Sequence, residues 1–203
     1  MKPELKVTVF SDYICPFCYI GDARLNRLRE FYDLKVNWGF LEIHPETSAA
    51  GEPVTALDYP AATWQRMMDT LRVMAEEEQL DLADHRFTTN SRSALQLAEM
   101  AKFHDSTVFY RLHSRLFEAF FVQGENIGDR NVLRKLAQSA GLSDEKITQA
   151  WQDDAVDKRL RQHAKAAQEL GVRATPTTFI GKQRLDGAVP FQTLLEAAQL
   201  SLQ

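Results

Sequence analysis

The spacing of apolar residues predicts a strand, a helix and a second strand near the start of the chain. Residues 6–10 are rich in β-branched side chains and run into Ser11 and Asp12, which is typical of a strand followed by a turn. Apolar residues then recur at helical spacing as far as Tyr32, and residues 34–43 have the character of a second strand. The helical stripe consists of Phe17, Ile20, Leu25, Leu28 and Phe31. A strand, a helix and a strand in this order form a βαβ unit, whose strands are expected to be parallel.

The middle of the chain carries helical patterns and almost no strand patterns. Residues 46–60, which contain glycine and proline, predict a loop. Helices are predicted at about 63–79, 91–104, 108–120, 129–141 (with Asp129 and Gly141 as its caps), 143–151 and 154–171. Patterns typical of strands are found again at residues 177–180 and 183–185, and Pro190 suits the first turn of a last helix. This order predicts an α/β fold in which a helical insertion divides one domain.

Composition and charge exclude several classes of function. Lysine and arginine total 24 against 28 aspartates and glutamates, a formal net charge of −4. This balance provides no basic excess to hold nucleic acid or an anionic membrane. No apolar run approaches the roughly 18 residues of a membrane span, and the first residues lack the apolar stretch of a secretory signal. We therefore expect a cytoplasmic protein without nucleic-acid or membrane partners.

The candidate chemistry lies in Cys15-Pro16-Phe17-Cys18, which holds the only two cysteines of the sequence. Residues three apart on a first helical turn can bring their sulfurs within disulfide distance. The run stands where a strand gives way to a helix, so the free N–H groups and the helix dipole stabilise a thiolate at Cys15. Pro16 suits the first helical position. We therefore expect Cys15 to be the nucleophile and Cys18 the thiol that resolves a mixed disulfide.

Two other interpretations of the cysteines are weaker. A Cys-x-x-Cys pair can form half of a zinc site, but the five histidines offer no second paired spacing, and we expect no metal. The cysteines could also be inert core residues, although their spacing just before a helix argues against this. Asp12 precedes the site and could accept a proton, but an aspartate at the end of a strand is more often a cap or turn residue.

A second motif, Ala174-Thr175-Pro176-Thr177, stands just before the third strand. Proline cannot donate to a strand ladder and is tolerated at the start of a strand. The Thr175–Pro176 bond can be cis, although the average frequency of X–Pro bonds favours trans.

With these motifs in place, the chain resembles the DsbA-like branch of the thioredoxin superfamily, and within it the cytosolic FrnE-like dithiol–disulfide oxidoreductases. The resemblance covers nearly the whole chain. It is carried by residues 11–21 (SDYICPFCYIG), Asn90-Ser91, residues 126–129 (NIGD), Thr175-Pro176-Thr177 and residues 187–190 (GAVP).

The resemblance implies a thioredoxin-like fold with a domain formed by residues 1–45 and 153–203 and a helical insertion domain at 46–152. It also implies a cis bond at Thr175–Pro176, close to the sulfurs, whose loop pairs with an extended substrate. Catalytic roles fall to Cys15 and Cys18, and substrate-binding roles to Pro16, Phe17, Thr175 and Pro176. Threonine before the proline is found in disulfide isomerases of the superfamily and favours isomerase activity. Phe17 departs from the Trp or His of many relatives, which leaves the oxidising power open.

These observations predict a thiol–disulfide oxidoreductase, with disulfide isomerase as a possible activity. It would act on a disulfide-containing or unfolded polypeptide or on glutathione, and would need no cofactor beyond the redox-active pair Cys15–Cys18. One alternative is a glutathione-dependent small-molecule isomerase or transferase of the kappa-class or 2-hydroxychromene-2-carboxylate isomerase type. Those resemble this chain in layout but have serine where Cys15 stands. Another alternative is a non-enzymatic polypeptide-binding chaperone.

Three further expectations concern surfaces. The aromatic residues of the stripe at 108–120 and Phe121 are expected mainly in the core of the insertion, with a substrate groove as a secondary interpretation. The arginines Arg24, Arg27 and Arg29 are expected largely on the solvent side of the first helix. The run of glutamates at 76–78 is expected to be a solvated helix face.

Overall fold

A central sheet carries the start of the chain and its last two strands. The computed structural model describes residues 2–84 and 86–203, so His85, one of the five histidines weighed above as zinc ligands, lies outside the described residues. The strands are β1 (Glu4–Ser11), β2 (Asp33–Phe40), β3 (Glu52–Pro53), β4 (Phe87–Thr88), β5 (Thr177–Ile180) and β6 (Gln183–Asp186). The sheet order is β2-β1-β5-β6; β1 and β2 are parallel, as the βαβ pattern predicts, and the other neighbours are antiparallel.

The helices follow the predicted stripes closely. They are α1 (Pro16–Arg27), α2 (Ala61–Glu77), α3 (Arg92–His104), α4 (Ser106–Phe121), α5 (Arg130–Ala140), α6 (Asp144–Gln152), α7 (Asp154–Glu169) and α8 (Phe191–Ser201), with 3₁₀ turns at Leu28–Glu30 and Val54–Leu57. The predicted caps of α5 are confirmed: the Asp129 side chain accepts from Asn131 N–H, and Gly141 has a φ of +108°. A left-handed conformation of this kind favours glycine.

The structure corrects two boundaries. β2 ends at Phe40 rather than at residue 43, because the Ile43 N–H donates to the Asp12 side chain instead of to a neighbouring strand. The loop predicted at 46–60 contains β3 and a 3₁₀ turn, and β3 pairs with β4 over only two residues. A bridge this short carries no periodicity that a sequence could reveal.

The aromatic residues of α4 lie in the core. Phe109, Phe117, Phe120 and Phe121 are each at most 3% exposed, in one hydrophobic cluster with side chains of β1 and β2. The core interpretation of this stripe is confirmed, although Phe117 also lines a surface cleft beside Tyr19 and Val122. The domain boundaries proposed from the resemblance stay a prediction. Within the described residues, no helix combines the length and apolar character needed to cross a bilayer.

Arg24 corrects the expectation of a solvent-facing arginine. Its side chain is 1% exposed and donates to Glu77 at 2.6 Å and to Glu78 at 2.9 Å, both at the end of α2, and to the Ala188 carbonyl at 2.7 Å. The Glu78 side chain is itself only 8% exposed, so the glutamate run is not a purely solvated face. Arg24 therefore ties α1 to the end of α2 and to the loop before α8.

Candidate functional site

The nucleophile candidate caps the first helix. Cys15 is the N-cap of α1, with extended backbone, and Pro16 is the first helical residue, as predicted. The Cys15 carbonyl accepts from the N–H groups of Cys18 at 2.9 Å and Tyr19 at 3.3 Å. Both cysteines are free thiols and both are buried. The sulfur of Cys15 therefore lies at the positive end of the helix.

The two thiols differ in acidity. The pKa of Cys15 is lowered, chiefly because Cys18 donates a side-chain hydrogen bond to its sulfur, while burial opposes the effect. The pKa of Cys18 is raised well above its ordinary value by burial and by Cys15. Cys15 is thus the first thiol to ionise, and Cys18 keeps its proton and supports the charge.

The loop before β5 faces the sulfur of Cys15. The Thr175–Pro176 bond is cis, as the resemblance implies. The Cys15 thiol donates to the Thr175 carbonyl at 3.4 Å, which joins residues 160 apart in the sequence. A Cβ at Gly21 would lie 3.0 Å from the Pro176 ring, so the glycine lets α1 approach this loop. Main-chain groups of Thr175 are therefore available at the sulfur.

Phe17 lies on the side of the site where α2 packs. Its half-buried ring contacts the small cluster that includes Ile20, Leu71 and Ala188. Pro16 is also half-buried, and Pro176 is buried. The structure thus places Cys15, Cys18 and Thr175 together, with Phe17 directed to α2.

A buried carboxyl group lies behind the active-site turn. Asp12 is fully buried, and burial raises its pKa to about 7 against the lowering effect of its hydrogen bonds. Its Oδ2 accepts from Ile43 N–H and from the Ser91 hydroxyl, each at 2.9 Å. The interpretation of Asp12 as a cap or turn residue agrees with its acceptance of backbone N–H groups, but it did not predict that the side chain is fully buried.

Sequence reasoning missed a hydrogen-bonded chain through His113 of α4. The Tyr13 hydroxyl lies 2.8 Å from His113 Nδ1, and His113 Nε2 lies 3.2 Å from Asp22 Oδ1. Burial and the charge of Asp22 raise the pKa of Tyr13 well above its ordinary value, so the phenol keeps its proton and donates to Nδ1. His113 therefore links the turn before Cys15 to α1, at a position one helical turn beyond Cys18. The available signal was one histidine inside an aromatic helical stripe.

Tyr13→Phe is expected to lower the free energy of unfolding by about 1–3 kcal/mol, because it leaves the buried His113 Nδ1 without a donor. Urea denaturation measures this loss. Tyr59→Phe is the matched control: Tyr59 is 41% exposed, and its change should stay within about 0.5 kcal/mol. Equal losses in the two variants would contradict the role of the hydrogen bond.

The two thiols and the Thr175 carbonyl are the groups that the site brings together. Throughout residues 2–84 and 86–203, no group of three or more histidine, cysteine and carboxylate side chains is placed to hold a metal ion. What the arrangement can do is form, break and pass on a disulfide between Cys15 and Cys18.

Comparisons with known proteins agree with this geometry. The sequence model of a family described as "DSBA-like thioredoxin domain" matches residues 6–199. The uncharacterized protein YwbO of Bacillus subtilis is 30% identical over 191 residues, which cover 90% of each chain. A probable DsbA oxidoreductase from Streptomyces coelicolor superposes with a TM-score of 0.85 at 21% identity, covering 98% of this chain and 90% of that one. The cytosolic disulfide reductase DsbM of Pseudomonas aeruginosa, solved with GSH, gives 0.70 at 20% identity, covering 97% and 99%. At these identities the two structures establish a shared fold.

Proposed function

Because the chain belongs to the family of DSBA-like thioredoxin domains, we propose that it is a thiol–disulfide oxidoreductase that works through Cys15 and Cys18. The observation that carries the proposal is the placement of Cys15. Its sulfur lies at the start of α1, accepts a hydrogen bond from Cys18 and contacts the Thr175 carbonyl. This supplies a nucleophile, a resolving thiol and a main-chain contact in one place.

Reduction of a substrate takes two exchange steps. The Cys15 thiolate attacks one sulfur of the substrate disulfide; that S–S bond breaks, a Cys15–substrate disulfide forms, and the other substrate sulfur leaves as a thiolate that takes up a proton. Cys18 then loses its proton and attacks the Cys15 sulfur, which releases the second substrate thiol and forms the Cys15–Cys18 disulfide. Two electrons pass to the substrate. The reverse sequence oxidises a substrate dithiol, and attack by Cys15 followed by displacement by another substrate thiol isomerises a disulfide without net electron transfer.

We assign substrate-binding roles to Pro16, Phe17, Thr175 and Pro176, and the position of the loop before β5 supports this assignment. The Thr175 main chain borders the sulfur, and an extended polypeptide can align along that loop, with Pro176 fixing its shape. Pro16 and Phe17 follow Cys15 directly in the chain and are both half-buried, and we assign them contacts with residues that flank the substrate cysteine.

The partners we propose are a disulfide-containing or unfolded polypeptide, or glutathione. The structure of DsbM with GSH supports glutathione, and its description as cytosolic supports a cytoplasmic setting. Glutathione or a thioredoxin-type reductant would exchange electrons with the pair. No metal or organic cofactor is needed for these steps.

The reduction potential of the Cys15–Cys18 pair tests the proposal and sets its direction. The protein is equilibrated in glutathione buffers and its free thiols are trapped and counted. A potential of about −180 mV or above would indicate oxidase or isomerase activity, whereas a potential of about −270 mV would indicate a reductase. If no intramolecular disulfide forms in any buffer, the proposal fails.

A further inference from the structure

A cleft lies between α1, the segment that follows α2, and α4. It has a volume of about 390 Å³, which is within the range of about 300–1,000 Å³ typical of ligand sites. The residues that give it its character are Tyr19, Asp22, Asp81, Ser114, Phe117 and Glu118. Among the described residues that line it, three are acidic and none is a lysine, arginine or histidine. The cleft therefore has one sign of charge.

The negative charge of this cleft is not balanced by the protein. In the part of the chain that the structure describes, Asp22 is paired only with His113, and no lysine or arginine forms an ion pair with Asp81 or Glu118. Burial and the charges of Glu118, Asp81 and Asp22 raise the pKa of Tyr19, so all three carboxylates act on one phenol. A concave surface lined by one sign of charge concentrates its field and attracts the opposite charge.

The carboxylate of Asp22 is held in a fixed orientation. Its Oδ2 accepts from the Asn26 amide at 3.0 Å, and its Oδ1 lies 3.2 Å from His113 Nε2. Because Tyr13 donates to Nδ1 of His113, Nε2 carries the ring proton and donates to Asp22. His113 is only 1% exposed, so the orientation of Asp22 is fixed from within the core. A carboxylate has about four acceptor positions, so Asp22 can still accept from a ligand.

The aromatic lining is an independent feature that favours the same kind of ligand. The Tyr19 ring is stacked on Phe121 with a centroid distance of 5.4 Å and lies 5.8 Å from the ring of Phe117. Tyr19 and Phe117 both border the cleft. The face of an aromatic ring attracts an ammonium or guanidinium group that approaches within about 6 Å of its centroid.

The spacing of the acids favours an organic cation over a metal ion. Among residues 2–84 and 86–203, no three histidine, cysteine or carboxylate side chains converge closely enough to coordinate a metal. Asp22, Asp81 and Glu118 therefore surround a space too wide for a single ion. A cation with several N–H donors and a carbon chain matches separated carboxylates together with aromatic walls.

The cleft continues from Cys15 along α1. Tyr19 and Asp22 stand four and seven residues beyond Cys15, a spacing that places them on the same face of the helix. Seven residues correspond to about 10 Å of helix, and an extended polypeptide covers about 3.3 Å per residue. A basic side chain about three residues from a cysteine that reacts with Cys15 can therefore reach the cleft.

We propose that this cleft binds the ammonium or guanidinium group of an organic cation, with Asp22, Asp81 and Glu118 as acceptors and Tyr19 as an aromatic wall. A lysine or arginine side chain of a polypeptide substrate and a free amine present the same charged group. The consequence for substrate choice rests on the proposed function, whereas binding of the cation can be measured without any disulfide.

The test titrates the reduced, nitrogen-15-labelled full-length protein and follows its amide signals by NMR. The probes are 1,5-diaminopentane and an acetylated, amidated Ser-Ala-Ala-Lys peptide. Saturable shifts are expected at Tyr19, Ala23, Leu80 and Ser114, which line the cleft. The same peptide with glutamine in place of lysine should produce none. Tighter binding of the diamine would assign the site to free amines, and tighter binding of the lysine peptide would assign it to polypeptides.

Asp22→Asn should weaken binding of the probes about tenfold, because it neutralises one partner of a charge-assisted hydrogen bond. Glu118→Gln, at an exposed position of α4, should also weaken binding and serves as a second variant if Asp22→Asn fails to fold. Glu145→Gln is the matched control, since it removes the same charge from an exposed position of α6 outside the cleft and should leave the affinity unchanged.

The absence of saturable shifts with both probes would overturn the inference, as would equal weakening in Glu145→Gln. Because neither probe contains a disulfide, a protein that binds the cation but exchanges no disulfide would refute the proposed function and leave this site intact.

Discussion

Cys15→Ser is expected to reduce disulfide exchange to the uncatalysed background. A serine hydroxyl does not ionise at neutral pH and cannot form the mixed disulfide, whereas the Cys15 sulfur lies at a helix start that stabilises its thiolate. The measurement is the turnover of a mixed-disulfide or insulin-type substrate with glutathione as the electron donor, supported by mass spectrometry of trapped adducts.

Cys18→Ser is the matched control, because it keeps the nucleophile and removes the resolving thiol. This variant should accumulate a disulfide between Cys15 and glutathione or the substrate. Turnover that survives in Cys15→Ser would favour the glutathione-dependent small-molecule isomerase or transferase. Suppression of aggregation that survives loss of both thiols, with no exchange in the intact protein, would favour the chaperone.

Arg24→Ala is expected to lower the free energy of unfolding by about 3–5 kcal/mol, the usual cost of removing one partner from a buried ion pair. The change removes one of the two arginine donors of the Glu78 carboxylate, whose side chain is 8% exposed, and the side-chain donor of the Ala188 carbonyl. Arg27 still donates to Glu78 at 3.1 Å, but its side chain is 45% exposed and does not replace the buried guanidinium of Arg24. Urea denaturation of the reduced protein measures the loss.

Arg134→Ala removes a comparable pair at the surface. Arg134 donates to Asp144 at 2.7 Å, but their side chains are 38% and 65% exposed, so the loss should stay below about 1 kcal/mol. A loss in Arg24→Ala no greater than in this control would show that Arg24 does not anchor the end of α2.

The local patterns of the sequence were sufficient for the elements and for the central chemistry. β5 has the predicted bounds, the caps of α5 are those expected, and Cys15 stands at the start of α1 with Pro16 as its first residue. Each of these rests on residues a few positions apart, where helical or strand periodicity and capping preferences act directly.

The contacts that surround the cysteines could not be predicted in this way. The Ser91 hydroxyl and Asp12 are 79 residues apart in sequence, and Tyr13 and His113 are 100 apart. Arg24 likewise meets Glu78 across 54 residues. The sequence around a charged residue on a helix does not indicate a distant partner, so helical spacing alone places Arg24 on the solvent side of α1.

The helical insertion cannot be removed without changing the surroundings of the cysteine motif. His113 of α4 holds both Tyr13 and Asp22, and Ser91 at the start of α3 holds Asp12, so segments from the middle of the chain complete the polar shell of a motif formed by its first residues. A shortened chain that joined residue 45 directly to residue 153 would keep the sheet and both cysteines and lose that shell. Efforts to minimise or graft this protein must therefore carry α3 and α4 along with the Cys15–Cys18 motif.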